Sequence, residues 1–203
     1  MKNFIFTGTS GVGKTYLEEV LQEKYNFYPL IKYTDRDPRP GEVNTNAIQF
    51  IGKDGFNKAI KSNEFIFTLS YVGNRYGWKR KDIEAHANQH LTLAVTLESM
   101  KKIFDSLPNY VPILLYIKKD NFGLIEQRMK MRENYDSLDN ESKTKVDEKI
   151  KQRLLLADQE TKNIQEYIKI IEDHNGKVFT IKDDNTLFGE VIPFILKECR
   201  IEK

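Results

Sequence analysis

The sequence has few of the features that mark secreted or membrane proteins. Its 203 residues include a single cysteine, Cys199, so the chain cannot form an internal disulfide, which agrees with a reducing compartment. No apolar run approaches the roughly 20 residues that a membrane-spanning helix needs, and the apolar stretch at the N-terminus is too short for a signal peptide. We therefore expect a cytoplasmic protein with no membrane partner.

The sequence also lacks an excess of charge of one sign. Its 32 basic and 30 acidic side chains give a formal net charge of +2, too balanced for a general attraction to nucleic acid, which we do not expect as a partner. The hydrophobic fraction of 39% and the charged fraction of 31% are typical of a globular protein, and the length fits one domain.

Short apolar runs alternate with helical patterns along most of the chain. Residues 3–7, 91–96 and 111–117 are predicted to be buried parallel strands, and residues 14–24 a helix with one apolar face. This alternation predicts a three-layer α/β fold. Further expected elements are a strand at 27–32, a helix at 79–89, a last strand at 177–181 and a last helix at 186–199.

Two segments interrupt this pattern. Residues 47–78 are predicted to form short strands around a helix at 54–61, a pattern that fits a small insertion with its own sheet. Residues 132–149 begin with a polar stretch, before a long helix that starts near Ser142. This stretch is either a mobile lid or a solvated loop.

The first expected strand and helix flank a glycine-rich loop. In the pattern G-x-x-x-x-G-K-[ST], backbone N–H groups surround phosphate oxygens, the lysine reaches the β- and γ-phosphates, and the hydroxyl ligates Mg²⁺. The positive end of the following helix adds to the attraction for an anion. The sequence therefore predicts a site for Mg·ATP, with Thr15 as the metal ligand. The loop residues are Gly8, Thr9, Ser10, Gly11, Val12, Gly13, Lys14 and Thr15.

Five arginines are candidates for further phosphate contacts. Arg36 and Arg39 lie in a loop stiffened by proline and can grip a second phosphate, although the same pair can also be ordinary surface arginines. Arg128 and Arg132 share one helix face, and Arg153 lies on the next helix. Together with Lys14 they would stabilise charge on a transferring phosphoryl group if they converge, and would be plain surface charges if they do not.

The loop at 8–15, the segment 33–42 and the block 73–77, in this order and spacing, resemble guanylate kinase. The resemblance implies a P-loop kinase core (residues 1–32, 91–125 and 154–203), an acceptor-binding subdomain (33–90) and a lid (126–153). It implies transfer of the γ-phosphoryl group of ATP to a nucleoside monophosphate.

The resemblance also implies roles for individual residues. Arg36, Arg39 and Tyr76 match positions that hold the acceptor phosphate. Lys14 and Thr15 match the donor loop. The catalytic arginines of the lid are matched by Arg128, Arg132 and Arg153.

The departures from the family pattern concern the acceptor. Ile48 replaces a tyrosine that contacts the acceptor phosphate, and Phe67 replaces the glutamate that reads guanine. Trp78 replaces a small hydroxyl residue, while Ala94 and Thr96 stand where the family has aspartates. A site without the guanine-reading carboxylate should lose much of its preference for that base. We therefore expect Phe67, Trp78 and Thr96 to contact the acceptor, and the acceptor to be a monophosphate other than GMP or one of several monophosphates.

Two other functions fit the same motifs. A guanylate-kinase-like module without catalysis would bind phosphorylated peptides, although it would have no use for the complete loop with Lys14 and Thr15. A kinase of a sugar phosphate or of a DNA-linked acceptor is the other alternative. Binding of Mg·ATP and a panel of acceptors discriminate among the three.

Overall fold

The computed structural model describes residues 1–38, 43–45, 47–71, 73–107 and 109–201. The strands are β1 (Asn3–Gly8), β2 (Tyr28–Pro29), β3 (Lys32–Thr34), β4 (Ile48–Phe50), β5 (Phe65–Tyr71), β6 (Asn74–Lys79), β7 (Leu91–Ala94), β8 (Tyr110–Tyr116) and β9 (Lys177–Thr180). The helices are α1 (Lys14–Tyr25), α2 (Gly52–Lys61), α3 (Arg80–Ala85), α4 (Leu97–Ser106), α5 (Gly123–Arg132), α6 (Asn140–Lys162), α7 (Ile164–Asp173), α8 (Asp184–Thr186) and α9 (Ile192–Cys199).

The larger sheet is the centre of the molecule. Its order is β2-β7-β1-β8-β9, and every neighbouring pair is parallel. Side chains alternate across β1: Phe4 and Phe6 pack with α1 and α9 on one face, and Ile5 packs with α4 and α7 on the other. Helices therefore cover both faces, which confirms the predicted three-layer α/β fold.

A smaller sheet of order β4-β3-β6-β5 forms the insertion between α1 and β7. Its strands β3 and β4 are parallel, and the other two pairs are antiparallel. Tyr33, Phe56, Ala59 and Phe65 bury a separate small core between this sheet and α2. The four strands span residues 32–79, so all but Lys32 lie within the predicted subdomain, whose limits of 33 and 90 remain a prediction.

The predicted boundaries of two elements are wrong. Residues 27–32 are not one strand: β2 pairs with β7 in the larger sheet, and β3 begins the smaller one. The apolar run is continuous because both short strands are buried, so hydrophobicity alone does not reveal the change of sheet. The helix predicted at 79–89 is only α3, and residues 86–90 form a turn that leads into β7.

The polar segment after α5 holds one short 3₁₀ turn, Tyr135–Ser137, before α6 begins. Asp139 caps α6 by accepting a hydrogen bond from the Ser142 N–H at 2.7 Å. Whether residues 126–153 act as a lid stays a prediction. None of the described helices is both long and apolar enough to cross a membrane.

Candidate active site

The glycine-rich loop connects the C-terminal end of β1 to the N-terminus of α1. Gly8 passes so close to β8 that a Cβ atom there would lie 1.8 Å from the carbonyl oxygen of Leu115. Gly13 precedes α1 with φ of 97°, a conformation that glycine adopts without strain. These two glycines fix the loop against the sheet and turn it into the helix, whose first N–H groups face the loop.

Lys14 lies inside this loop. Its Nζ donates hydrogen bonds to the carbonyl oxygens of Gly8, at 2.7 Å, and Thr9, at 3.2 Å. Burial lowers the pKa of Lys14 to about 8, with Glu160 opposing that shift and Lys32 adding to it. The ammonium group is therefore held in the loop by backbone oxygens and sits where an anion would stabilise its charge.

Helix α6 reaches the loop with two side chains. Arg153 Nη1 donates a hydrogen bond to the Ser10 hydroxyl at 2.7 Å, and Glu160 accepts one from the Ser10 N–H at 2.6 Å. Burial raises the pKa of Glu160, while the bond from Ser10 and the charges of Lys14 and Arg153 lower it. Arg153 was predicted from the sequence, but Glu160 was not. Its position two helical turns after Arg153, on the same face, is the sequence signal that could have identified it.

Helix α5 contributes the other two predicted arginines. Arg128 donates to Asp184 Oδ1 from Nη2 at 2.6 Å and from Nε at 3.0 Å, and to the Gly11 carbonyl oxygen at 3.3 Å. Arg132 is exposed, and its Nη2 lies 3.3 Å from Glu133 Oε1. Asp184 was also missed, because α8 is a single turn and no apolar periodicity marks it. The structure thus connects Arg128 and Arg153 to the loop by hydrogen bonds, whereas the side chain of Arg132 is exposed.

One cavity of about 900 Å³ connects these parts with the smaller sheet. Its described lining includes the loop residues Gly8 and 10–15, the three arginines of α5 and α6, and Glu160. From the opposite side it is lined by Lys32, Leu69, Tyr76, Trp78, Ala94, Val95 and Thr96. This volume is typical of a small-molecule site. The predicted donor loop and much of the predicted acceptor wall therefore face one space.

The predicted acceptor residues differ in how they face this space. Tyr76, Trp78 and Thr96 line the cavity, and the Thr96 hydroxyl is 2.7 Å from that of Ser99. Phe67 is not among the described lining residues. It stacks on Trp78 with ring centroids 4.7 Å apart and an interplanar angle of 19°. The two aromatic rings therefore pack against each other.

Of the two predicted arginines of the acceptor loop, the structure describes Arg36. Arg36 Cζ lies 5.0 Å from the centroid of the Phe50 ring, and its Nη1 donates to the Asp37 carbonyl oxygen at 2.9 Å. Arg36 is not among the described residues that line the cavity. Arg39, the other predicted phosphate contact, falls outside the described residues. Their shared role at the acceptor phosphate stays a prediction.

The residues present fit a magnesium ion that is carried mainly by phosphate. Thr15 is exposed at the start of α1 and lines the cavity, so its hydroxyl can supply one ligand. In the described part of the chain, no group of three or more histidine, cysteine, aspartate or glutamate side chains is arranged to hold a metal. Mg²⁺ in nucleotide sites commonly takes one or two protein ligands, with phosphate oxygens and water completing the octahedron.

Three features together define a P-loop kinase: the parallel sheet, the loop between β1 and α1, and the cavity with basic residues. A family model described as guanylate kinase matches residues 1–179. The guanylate kinase of Nostoc sp. is 31% identical over 176 residues, which cover 85% of this chain and 82% of the relative. That of Malacoplasma penetrans is 28% identical over 195 residues, or 94% of each chain.

A solved structure agrees with this assignment. The guanylate kinase from Anaplasma phagocytophilum has the same fold, with a TM-score of 0.63 and 16% identity over 100% of this chain and 88% of that one. With the family model matching most of the chain, the protein belongs to the guanylate kinase family, whose members are nucleoside monophosphate kinases. The resemblance read from the three sequence motifs is confirmed.

Proposed function

We propose that the protein transfers the γ-phosphoryl group of ATP to the phosphate of a nucleoside 5′-monophosphate. The observation that carries this proposal is the single cavity that joins the loop around Lys14 to the wall formed by Tyr76, Trp78 and Thr96. Two phosphorylated molecules would meet in that space. The cytoplasm, where ATP and Mg²⁺ are both available, is the compartment we propose.

The reaction needs positioning and charge neutralisation rather than a covalent intermediate. An oxygen of the acceptor phosphate forms a bond to the γ-phosphorus, the bond from that phosphorus to the β,γ-bridging oxygen breaks, and ADP leaves with the electron pair. Lys14, Arg128 and Arg153, already held around the loop, would stabilise the negative charge on the transferring group, and Arg132 would join them. A magnesium ion bound through Thr15 would neutralise the β- and γ-phosphates.

We further propose that guanine is not the exclusive acceptor base. Phe67 and Trp78, whose rings pack together, cannot accept hydrogen bonds from the N1 and N2 donors of guanine. Ala94 and Thr96 also provide no carboxylate on the neighbouring strand end. A site that leaves those donors unpaired gains no preference from them, so selection must rest on other groups.

An ADP-release assay over ribo- and deoxynucleoside monophosphates tests both statements. We expect turnover of several monophosphates, with loss of turnover for every acceptor in Lys14→Ala. Arg39→Ala should mainly raise KM for the acceptor. Undiminished activity of Lys14→Ala would overturn the mechanism, and GMP turnover clearly better than that of every other monophosphate would overturn the relaxed base choice.

The same assay separates the alternatives. A domain that binds phosphopeptides without catalysis would show little affinity for Mg·ATP and no ADP release. A kinase of other acceptors would bind Mg·ATP, release ADP with sugar phosphates or oligonucleotides, and leave mononucleotides unchanged. Either result would replace the proposed function.

A further inference from the structure

Lys32 stands in a row of side chains across the smaller sheet. Lys32 of β3 pairs with Ile48 of β4. On the other side, Tyr33 pairs with Gly77 and Thr34 with Tyr76, so the same antiparallel register sets Lys32 opposite Trp78. Trp78 in turn pairs with Phe67 of β5. Ile48, Lys32, Trp78 and Phe67 thus follow one another across all four strands, and Lys32 is the only charged member.

Lys32 also faces the cavity. Among the described residues from Lys32 to Thr96 that line the cavity, Lys32 is the only one with a formal charge at neutral pH, while Glu19 of α1 also lines it. It is half-buried, and its backbone N–H donates to the Ala47 carbonyl oxygen at 3.0 Å, which fixes the start of β3. Burial lowers the pKa of its ammonium group, Glu18 on α1 opposes this shift, and Arg36 adds to it.

The polar groups of this row supply hydrogen-bond donors only, whereas the hydroxyl groups of Tyr76 and Thr96 elsewhere on the wall can also accept. The indole N–H of Trp78 is buried and has no hydrogen-bond partner among the described residues, and Trp78 is only 2% exposed. An ammonium group and an indole N–H can only donate hydrogen bonds. The ammonium group of Lys32 faces the cavity, so a bound molecule that presents acceptor atoms would be preferred here. The row therefore favours a base edge rich in oxygen over one that carries an amino group.

We propose that Lys32 selects the acceptor base by donating a hydrogen bond to a keto oxygen. This inference rests on the proposed phosphoryl transfer and names its substrate class. The acceptors would be 6-oxopurine and 4-oxopyrimidine monophosphates, because lysine donates readily to O6 and N7 of guanine and to equivalent keto groups. Adenine and cytosine carry an amino group at the corresponding position and present hydrogen-bond donors to a donor.

The row itself should be indifferent to the 2-amino group that distinguishes guanine from hypoxanthine. Reading that group requires an acceptor, and the row Ile48, Lys32, Trp78 and Phe67 has none. GMP and IMP should therefore be used about equally. This equality separates selection by Lys32 from selection by a carboxylate, which would favour GMP.

The test compares kcat/KM for GMP, IMP, UMP and dTMP with that for AMP and CMP. For the wild type, we expect the keto acceptors to exceed the amino acceptor of the same ring type by about tenfold or more. Lys32→Met should bring this ratio close to one, mainly through KM, with kcat and the Kd for Mg·ATP retained. Lys32→Gln, which can both donate and accept, should improve the use of AMP and CMP. Lys61→Met, an exposed lysine on α2, should behave as the wild type.

The possible outcomes distinguish a failure of the role proposed for Lys32 from a failure of the proposed kinase function. Turnover with an unchanged keto-to-amino ratio in Lys32→Met would overturn the role of Lys32 and leave the kinase intact. A wild-type preference for AMP or CMP would overturn it even if the variants do not fold. An absence of ADP release with every monophosphate would instead refute the kinase itself.

Discussion

The carboxylate of Glu160 accepts a hydrogen bond from the backbone N–H of Ser10 over 2.6 Å, although the two residues are 150 positions apart. Arg153 of the same helix bonds the hydroxyl of the same serine. One residue of the phosphate loop is thereby held at its backbone and at its side chain by α6. The shape of the loop depends on a helix that begins in the predicted lid.

Glu160→Ala should destabilise the protein because it leaves the Ser10 N–H without its charged acceptor. We expect a loss of about 1.5–3 kcal/mol in the free energy of unfolding, the range for hydrogen bonds to charged groups. Urea denaturation measures it. Gln159→Ala, which removes an exposed neighbour on α6, is the matched control and should change stability little. Equal effects of the two substitutions would contradict the contact.

The affinity for Mg·ATP should fall as pH rises above about 8. Burial lowers the pKa of Lys14 to about 8 in the ligand-free protein, so its positive charge is lost above that pH. If binding needs the charged form, the Kd rises by up to about tenfold for each further pH unit. Calorimetric titrations between pH 7 and 9.5 test this. Lys14→Met should bind weakly without this pH dependence, and a constant wild-type Kd would refute the prediction.

Glu18→Gln should become more stabilising as pH rises from 5 to 8. Burial raises the pKa of the Glu18 carboxyl to about 7, whereas the unfolded chain titrates near its ordinary value of 4.5. The folded state therefore binds the extra proton, and this contribution to stability, complete below about pH 4.5, is lost as pH rises through 7. Glutamine mimics the neutral carboxyl at every pH.

Thermal unfolding measures this effect. The Tm of Glu18→Gln minus that of the wild type should grow by about 5–10 °C over this range, because a pKa raised from 4.5 to about 7 corresponds to roughly 2.5 kcal/mol between pH 5 and pH 8. Glu19→Gln, the exposed neighbour, should show a smaller change. A difference that is constant or shrinks with pH would mean that Glu18 is not held as the neutral acid.

Gly77→Ala should impair acceptor use while leaving ATP binding intact. A Cβ atom at Gly77 would lie 2.7 Å from the Phe65 ring, so β5 and β6 would have to separate slightly. Overpacking of this kind costs about 1–3 kcal/mol, and the distortion falls next to Tyr76 and Trp78. We expect a several-fold higher acceptor KM with an unchanged Kd for Mg·ATP. Gly189→Ala, where no heavy atom lies within 4 Å, is the control; a weakened Kd for Mg·ATP would contradict the prediction.

The sequence allowed the parts of the site that are encoded locally to be predicted. The loop from Gly8 to Thr15 is a continuous motif between a strand and a helix, and the structure places it there. Arg128 and Arg153 were assigned to helices by spacing, and both contact the loop. Glu160, Asp184 and Lys32 were missed because their significance comes from contacts between distant elements. No local pattern distinguishes Lys32 from any other lysine that begins a strand.

The break between β2 and β3 shows the same limit. Residues 27–32 are apolar enough for one strand, but the chain leaves the larger sheet after Leu30 and enters the smaller one at Lys32. Which sheet receives a strand depends on hydrogen-bond partners far along the chain, here Thr92 and Ala47. The pattern of one segment carries no information about those partners.

The phosphate loop follows a strand of the larger sheet, whereas most of the proposed base-facing wall lies on the smaller sheet. If that wall reads the base as proposed, donor binding and acceptor choice are controlled by separate sheets. A protein engineer who wants a different acceptor preference would then change the row Ile48, Lys32, Trp78 and Phe67 first and leave the loop around Lys14 as it is.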